Sequence, residues 1–418
     1  MEDSSALPHC FAAGKRIVVA GAGIAGLAFA VALRKQWAAM PPSLTPPVIT
    51  LYERDPKDFG VEREGYSISI RSDGNSAGLQ ALQKLGLLDT MLSQSITGIQ
   101  KDPGTFCLWD KEWKEILRAK ASTPKTLPVP GMRIKRNVLR KNLIEAVNAN
   151  DEIRWGTTCT GAVKLSNGKI GVQLSNGQLD ECDLVVAADG SGSKIRSSFR
   201  PDDKLSFTGA VSIAGKSTFK DNIPPPVNRD WGLYLPGTGA GLFVSPIDEH
   251  NAIWSLSYLA PTPREIPKSP SPEWVQELRK EALELGKGCA EPFQTLVKAT
   301  DDASMGILNN TDKQPFPHLT GSLEGIPIVF IGDANHAVSP YAGSGANLAL
   351  MDAWELAEQL LKCDSLSSAL TAYDALAIPR SKTVVKFSHW TIGLAHSGGW
   401  MLKLYSWLAR IVAWLFLR

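Results

Sequence analysis

The sequence predicts an α/β fold: a parallel sheet flanked by helices, interrupted by a second part built on a β-sheet and followed by a C-terminal helical segment. Three observations predict it. The apolar run Arg16-Ile-Val-Val-Ala20 ends in Gly21-Ala-Gly-Ile-Ala-Gly26 and continues as an Ala/Leu-rich helix over Ile24–Trp37. Two further apolar runs, Asp183-Leu-Val-Val-Ala-Ala188 and Ile328-Val-Phe-Ile331, end in Asp189-Gly190 and Gly332-Asp333. Between them, stretches 207–219, 231–235, 241–245 and 252–258 have strand character, with clear alternation in Trp254, Leu256 and Tyr258.

The first element is strand, tight turn, helix. Gly21, Gly23 and Gly26 stand where the backbone must turn, approach a pyrophosphate and pack helix against strand, while the helix N-terminus offers N–H groups to phosphate. This is a Rossmann-like, dinucleotide-binding arrangement. The next strand, Val48–Tyr52, delivers Glu53, a carboxylate placed to accept hydrogen bonds from ribose hydroxyls. The distance from Gly26 to Glu53, 53 − 26 = 27 residues, is long for the motif, and the proline-rich stretch 41–47 accounts for the excess as a loop.

Residues 133–147 then read as a helix with a basic start. Its Arg136 is a candidate for a cofactor phosphate or ring edge, with a solvated basic face as the alternative. Asn167-Gly168 and Asn176-Gly177 mark tight turns between short antiparallel strands. Asp189-Gly190 follows the second apolar strand. After Gly332-Asp333, a loop containing Gly343 and Gly345 opens a helix over 347–361, and Asp333 can accept bonds from a sugar-alcohol chain. A chain that returns to one dinucleotide at three strand ends points to FAD.

Composition excludes several alternatives. With 44 Lys+Arg against 42 Asp+Glu, the 418-residue chain lacks the basic field of a nucleic-acid binder. The six cysteines show no CxxC or metal spacing, so neither a disulfide framework nor a metal site is expected. The start of the chain is polar, with Glu2 and Asp3 where a signal peptide carries positive charge, which predicts a cytoplasmic protein.

Gly21-x-Gly23-x-x-Gly26, Asp189-Gly190 with Ser193 and Arg196, and Gly332-Asp333-Ala-x-His336 with Pro340, Gly343, Gly345, Asn347 and Asp352 together resemble the class A FAD-dependent monooxygenases of the aromatic-hydroxylase type. Leu51-Tyr-Glu-Arg-Asp55, Ser67-Ile-Ser-Ile-Arg71 and Ile134-Lys-Arg-Asn-Val-Leu-Arg140 are similar to the tetracycline-inactivating and related secondary-metabolite monooxygenases. The resemblance implies a discontinuous FAD-binding domain of the glutathione-reductase-like hydroxylase type (GR2) over 14–75, 130–203 and 320–378. It also implies a substrate domain over 76–129 and 204–319 and a helical segment over 379–418. It implies Glu53 on the ribose, Arg54 and Arg136 near the cofactor, Asp189 at a motif shared by FAD and NAD(P)H, and Asp333 on the ribityl chain. Pro340, Gly343, Gly345, Ala346 and Asn347 would line the flavin ring. It implies reduction by NADPH or NADH, then reaction with O2 to a flavin C4a-hydroperoxide that hydroxylates or epoxidises an electron-rich lipophilic or aromatic small molecule. A dehydrogenase or reductase on the same fold, or a non-catalytic relative, is the rival reading.

Tyr234, Phe243 and Trp254 are the pocket candidates on the predicted sheet, against the plainer alternative that they pack its core. No catalytic base is identified: His250 falls in a turn and His336 reads as local support for the motif. The polar substrate-binding residues of tetracycline enzymes have no match here. In the segment 399–418, Lys403, Ser406 and Arg410 form a polar stripe on an apolar helix too short for a confident membrane span. Packing across the two parts is the preferred expectation, and peripheral membrane contact the alternative. A helix is expected to start near Ile378-Pro379-Arg380.

Overall fold

The computed structural model describes residues 10–57, 66–73, 77–96, 105–119 and 123–416. A five-stranded parallel sheet has the order Ile328–Phe330, Leu184–Ala187, Arg16–Ala20, Val48–Tyr52, Glu152–Arg154. The strands preceding the three glycine-bearing segments are therefore direct neighbours, and their carboxyl ends open on one crevice. Valine and isoleucine dominate these strands because both faces are covered. One face packs on helices Ile24–Trp37 and Gly345–Lys362, whose buried stripes meet over the sheet.

Strands Cys159–Lys164, Ile170–Leu174 and Leu179–Cys182 form the expected small antiparallel sheet. Gly168 and Gly177, at φ of +83° and +81°, take the left-handed positions of its turns. A further hairpin pairs Ser67–Arg71 with Gly131–Lys135. Helix Gly78–Leu85, expected with the substrate part, instead packs its Leu79, Leu82 and Leu85 into the first core.

The second sheet has seven strands in the order Gly306–Asp312, Ser206–Thr218, Asn251–Leu259, Ala240–Pro246, Trp231–Tyr234, Phe106–Trp109, Glu115–Arg118. Register assigns its faces. Leu233 pairs with Phe243 and Phe243 with Ser255, so these share one face, while Tyr234, Leu242 and Leu256 share the other. That second face also carries Trp254 and packs on helices Pro272–Leu285 and Phe293–Lys298. Tyr234 and Trp254 are thus core residues. Both are fully buried; the Tyr234 hydroxyl donates to the Lys111 carbonyl at 2.7 Å, and Trp254 Nε1 donates to Thr300 Oγ1 at 2.8 Å. Their candidacy for the pocket is corrected: large aromatics alternate with the pleat, and these sit on the wrong side of it. Phe243 lies on the opposite face, in a cluster with Leu233, Leu394 and Trp390.

The expected helix start at Ile378 is also corrected. One helix runs over Leu366–Ala395 with Pro379 inside it. Arg380, directly after the proline, bonds Glu355 and Asp352 of the neighbouring helix, which anchors the turn where the proline removes a backbone donor. The last helix, Gly399–Phe416, lays Leu402 and Tyr405 into the Phe243 cluster, and Arg410 Nε donates to the Ile116 carbonyl at 3.0 Å. Its other face exposes Trp400, Leu404 and Trp407. Among the described residues, no helix is long and apolar enough to cross a membrane.

Because Trp254 fills the outer core, Trp254→Ala should lower unfolding stability by about 3–5 kcal/mol in urea denaturation while leaving the flavin absorbance of the folded protein unchanged. A loss below about 1 kcal/mol would contradict its placement.

Candidate cofactor and active site

The glycine loop is built for close approach. Gly21 adopts φ +99°, and a Cβ there would lie 2.5 Å from the Ala188 carbonyl oxygen; one on Gly26 would lie 2.0 Å from the Gly21 oxygen. A Cβ on Gly23 would meet nothing within 4 Å, so this side of the loop faces open space. Helix Ile24–Trp37 has no side-chain cap and no acid in its first turn, which leaves its N-terminal N–H groups and positive dipole directed into that space.

A clasp behind the loop fixes it. The Ala22 N–H donates to Glu53 Oε2 at 2.9 Å, Arg140 Nε donates to the Ala22 carbonyl at 3.1 Å, and Arg140 pairs with Glu53 at 3.4 Å. Glu53 therefore holds the loop as well as standing at the end of its strand. Arg140 escaped sequence reasoning, although its i, i+4 spacing from Arg136 puts both on one helix face. Arg54 points outward, with its side chain 72% exposed, and only approaches Asp55 at 3.9 Å.

Asp189 Oδ2 accepts from the N–H groups of Lys194 and Ile195 at 2.8 and 3.2 Å, which starts the short helix Lys194–Phe199. Its Oδ1 is buried without a hydrogen-bond partner, and burial raises its pKa. Arg196 ties this segment to the third one, donating to the Ser191 carbonyl at 2.6 Å and the Ala334 carbonyl at 2.8 Å.

Asp333 is exposed to solvent yet lies deep within the protein mass, as a residue on a cleft wall does. Its carboxylate accepts no hydrogen bond among the described residues. Burial raises its pKa, with His336 and Arg136 pulling it down. Gly345 lies beside Asp333: a Cβ on it would be 3.9 Å from Asp333 Oδ1. Helix Gly345–Lys362 also begins without a side-chain cap. Pro340 and Gly343 are exposed on the preceding turn, with Gly343 at φ +58°, and Ala346 is half-buried. Asn347 is fully committed: its Oδ1 accepts from the Arg71 N–H at 2.8 Å and its Nδ2 donates to the Ser69 carbonyl at 2.9 Å. It pins the Ser67–Arg71 strand to the helix.

His336 and Asp352 form a buried pair at 2.5 Å. Asp352 also accepts from the Gly332 N–H at 3.0 Å and from Arg380 at 2.9 Å. Burial would raise the Asp352 carboxyl, but His336 and Arg380 outweigh it and hold it at about 2. Burial disfavours protonated His336, yet Asp352 raises its pKa above the ordinary value. His250 is exposed, its Nδ1 2.9 Å from the Asp221 carbonyl, and takes no part in the cleft. Cys107, Glu115 and Asp230 gather ligand types in one place, but Arg118 bonds both carboxylates and fills it.

An open glycine loop, two uncapped helix starts and a carboxylate that accepts no hydrogen bond among the described residues, all at the carboxyl ends of one sheet, match the needs of a phosphate-bearing cofactor with a polyol chain. The comparisons give the same reading. Monooxygenase cfoF of Aspergillus candidus is 40% identical over 398 residues and covers 93% of each chain. The chain belongs to the class A FAD-dependent monooxygenases. Residues 323–388 of this monooxygenase match the FAD binding domain model. The aurachin C monooxygenase/isomerase of Stigmatella aurantiaca is 25% identical, covering 94% of this chain and 92% of its own. Among solved structures, Klebsiella pneumoniae HpxO complexed with FAD and uric acid shares the fold at a TM-score of 0.74 and 20% identity, over 95% of this chain and 92% of its own. FAD is the cofactor of the monooxygenase, and NAD(P)H is the reductant typical of its family.

The Asp352 pair sets a pH dependence. Its folded pKa is depressed, so its contribution is present above the ordinary carboxylate range and lost as pH falls toward about 2. The folded pKa of His336 is raised, so its contribution is complete below its ordinary range and lost as pH rises through the raised value. Asp352→Asn should cost about 3–5 kcal/mol and flatten both limbs of melting temperature against pH. A variant that keeps the wild-type pH profile would show that the pair does not act as described.

Proposed function

We propose that this monooxygenase hydroxylates or epoxidises an electron-rich, hydroxyl-bearing aromatic or lipophilic compound of secondary metabolism. The observation that carries the reading is the meeting of two surfaces. The Pro340–Ala342 turn, next to the Asp333 cleft, abuts the face of the seven-stranded sheet that bears Phe243, Ser255 and Ser257. A flat molecule lodged there would lie between that face and a flavin ring held at the turn.

In this reading Gly21, Gly23, Gly26 and the first uncapped helix take the pyrophosphate, and Glu53 takes the ribose without releasing the loop. Arg136 and Asp333 take the ribityl and phosphate region. Pro340, Gly343, Gly345 and Ala346 border the flavin ring, and Asn347 keeps that border in place. Asp189 supports the crevice through the Lys194–Phe199 helix, and Arg54 stays at the rim. When bound, FAD supplies hydride acceptance from NAD(P)H and activation of O2 for transfer of one oxygen atom. The protein residues position the ring and the substrate. The uric acid complex of the fold relative HpxO, an acidic and electron-rich ring, supports this substrate class. Residues 14–75, 130–203 and 320–378 would form the cofactor part, with 105–119 and 204–319 as the roof.

The test is turnover under labelled oxygen. The purified protein, given NADPH or NADH and a panel of phenols, should produce a product carrying one atom from O2, with reductant consumption rising when an accepted compound is present. An unlabelled oxidised product formed without reductant consumption would identify a dehydrogenase instead, and reductant consumption with a reduced product a reductase.

A further inference from the structure

Charge is unevenly spread along this chain. Residues 375–418 hold six Lys and Arg and no Asp or Glu, against 38 basic and 42 acidic residues before them. Arg380 is committed inside the fold to Glu355 and Asp352. Lys382, Lys386, Lys403 and Arg410 are exposed, and none of these four forms an ion pair among the described residues. Glu115, next to the Ile116 carbonyl that Arg410 bonds, is itself paired with Arg118.

Helix Gly399–Phe416 adds an apolar surface to this charge. Trp400, Leu404 and Trp407 follow the i, i+4, i+7 spacing of one helix face, and Ile411 and Trp414 continue that spacing in the sequence. Trp400 is 72% and Trp407 58% exposed, with Leu404 and Met401 open beside them. Leu402 and Tyr405, on the opposite face, sit in the Phe243 cluster, so the tryptophan stripe points away from the fold. Lys403 stands one turn from both tryptophans, and Arg410 one turn from Trp407. On the preceding helix Phe387 is exposed too; it stacks on Trp390, whose ring meets Tyr405 edge-on.

Two large aromatic rings in water beside unpaired cations narrow the choice of what covers them. A second copy of this chain laid on the same stripe would bring Lys403 and Arg410 of both copies together, like charges across one interface. A surface of negative headgroups over hydrocarbon answers both features, because a tryptophan ring seats its apolar body in lipid with its N–H at headgroup level, and Lys and Arg attract the anionic headgroups. We propose that helix Gly399–Phe416 docks this monooxygenase flat on an anionic membrane surface. Trp400, Leu404 and Trp407 enter the lipid, Lys403 and Arg410 lie among the headgroups, and Lys382 and Lys386 add to the attracting field. The inference goes beyond the proposed reaction and does not depend on the substrate. Since the opposite face of the helix rests on the Phe243 cluster, docking sets the inner face of the roof about one helix diameter, ~10 Å, from the lipid.

The test sediments the FAD-loaded full chain with vesicles of phosphatidylcholine alone and of phosphatidylcholine mixed two to one with phosphatidylserine. Wild type is compared with Lys403→Gln and with Trp400→Ser and Trp407→Ser combined, after flavin content and melting temperature show each to be folded. Wild type should pellet with the phosphatidylserine vesicles and be released as salt rises. Partitioning should fall about fivefold in the lysine variant and about tenfold or more in the tryptophan variant. Wild type left in the supernatant, or a tryptophan variant that pellets as wild type does, would overturn the docking. Equal pelleting with both kinds of vesicle would overturn the anionic surface. Light scattering without vesicles completes the test: a dimer that needs the two tryptophans, in a protein that ignores vesicles, would give this face to a second copy and overturn the proposal.

Discussion

The buried Asp352 carboxylate ties together three segments of the chain. It accepts from the Gly332 N–H, from His336 and from Arg380, and so joins the third glycine segment to helices Gly345–Lys362 and Leu366–Ala395. A carboxylate with zero exposure survives only when its desolvation is offset by charge and hydrogen bonds together. Here it has both. Gly332, at φ +56°, is held in a conformation that throws Asp333 outward into the cleft while His336 turns inward.

The rest of the site is built on the same pattern, a committed residue behind each open one. Glu53 and Arg140 hold Ala22 so that Gly23 faces open space. Asn347 binds Ser69 and Arg71 so that the start of its helix faces the cleft. Arg196 bonds the Ser191 and Ala334 carbonyls so that the second and third segments keep their spacing. Preorganisation of this kind spares the bound state the ordering of loops that would otherwise oppose binding.

Much of this was legible in the sequence because it is local. The strand, turn and helix at Gly21–Gly26, the three strand ends and the four strands of the roof follow from apolar runs bounded by glycine and acid. The faces of the roof were harder to read. Alternation shows that Trp254 and Leu256 share a side, yet which side meets the cleft depends on helices Pro272–Leu285 and Phe293–Lys298, and Tyr234 follows Trp254 for the same reason. Arg140 was missed because its partner Glu53 lies 87 positions away, which leaves no local trace. Pro379 misled in the opposite way, since a proline reads as a helix start until Arg380 is seen to anchor the turn around it.

Flavin affinity tests most directly whether the crevice at the three strand ends is the FAD site. Calorimetric titration of FAD into flavin-free wild type, Asp333→Ala and Arg136→Ala should show affinity falling about tenfold or more in each variant, the loss of one charge-assisted contact of about 1.5–3 kcal/mol. Equal affinity in all three folded proteins would contradict the account and place the flavin elsewhere.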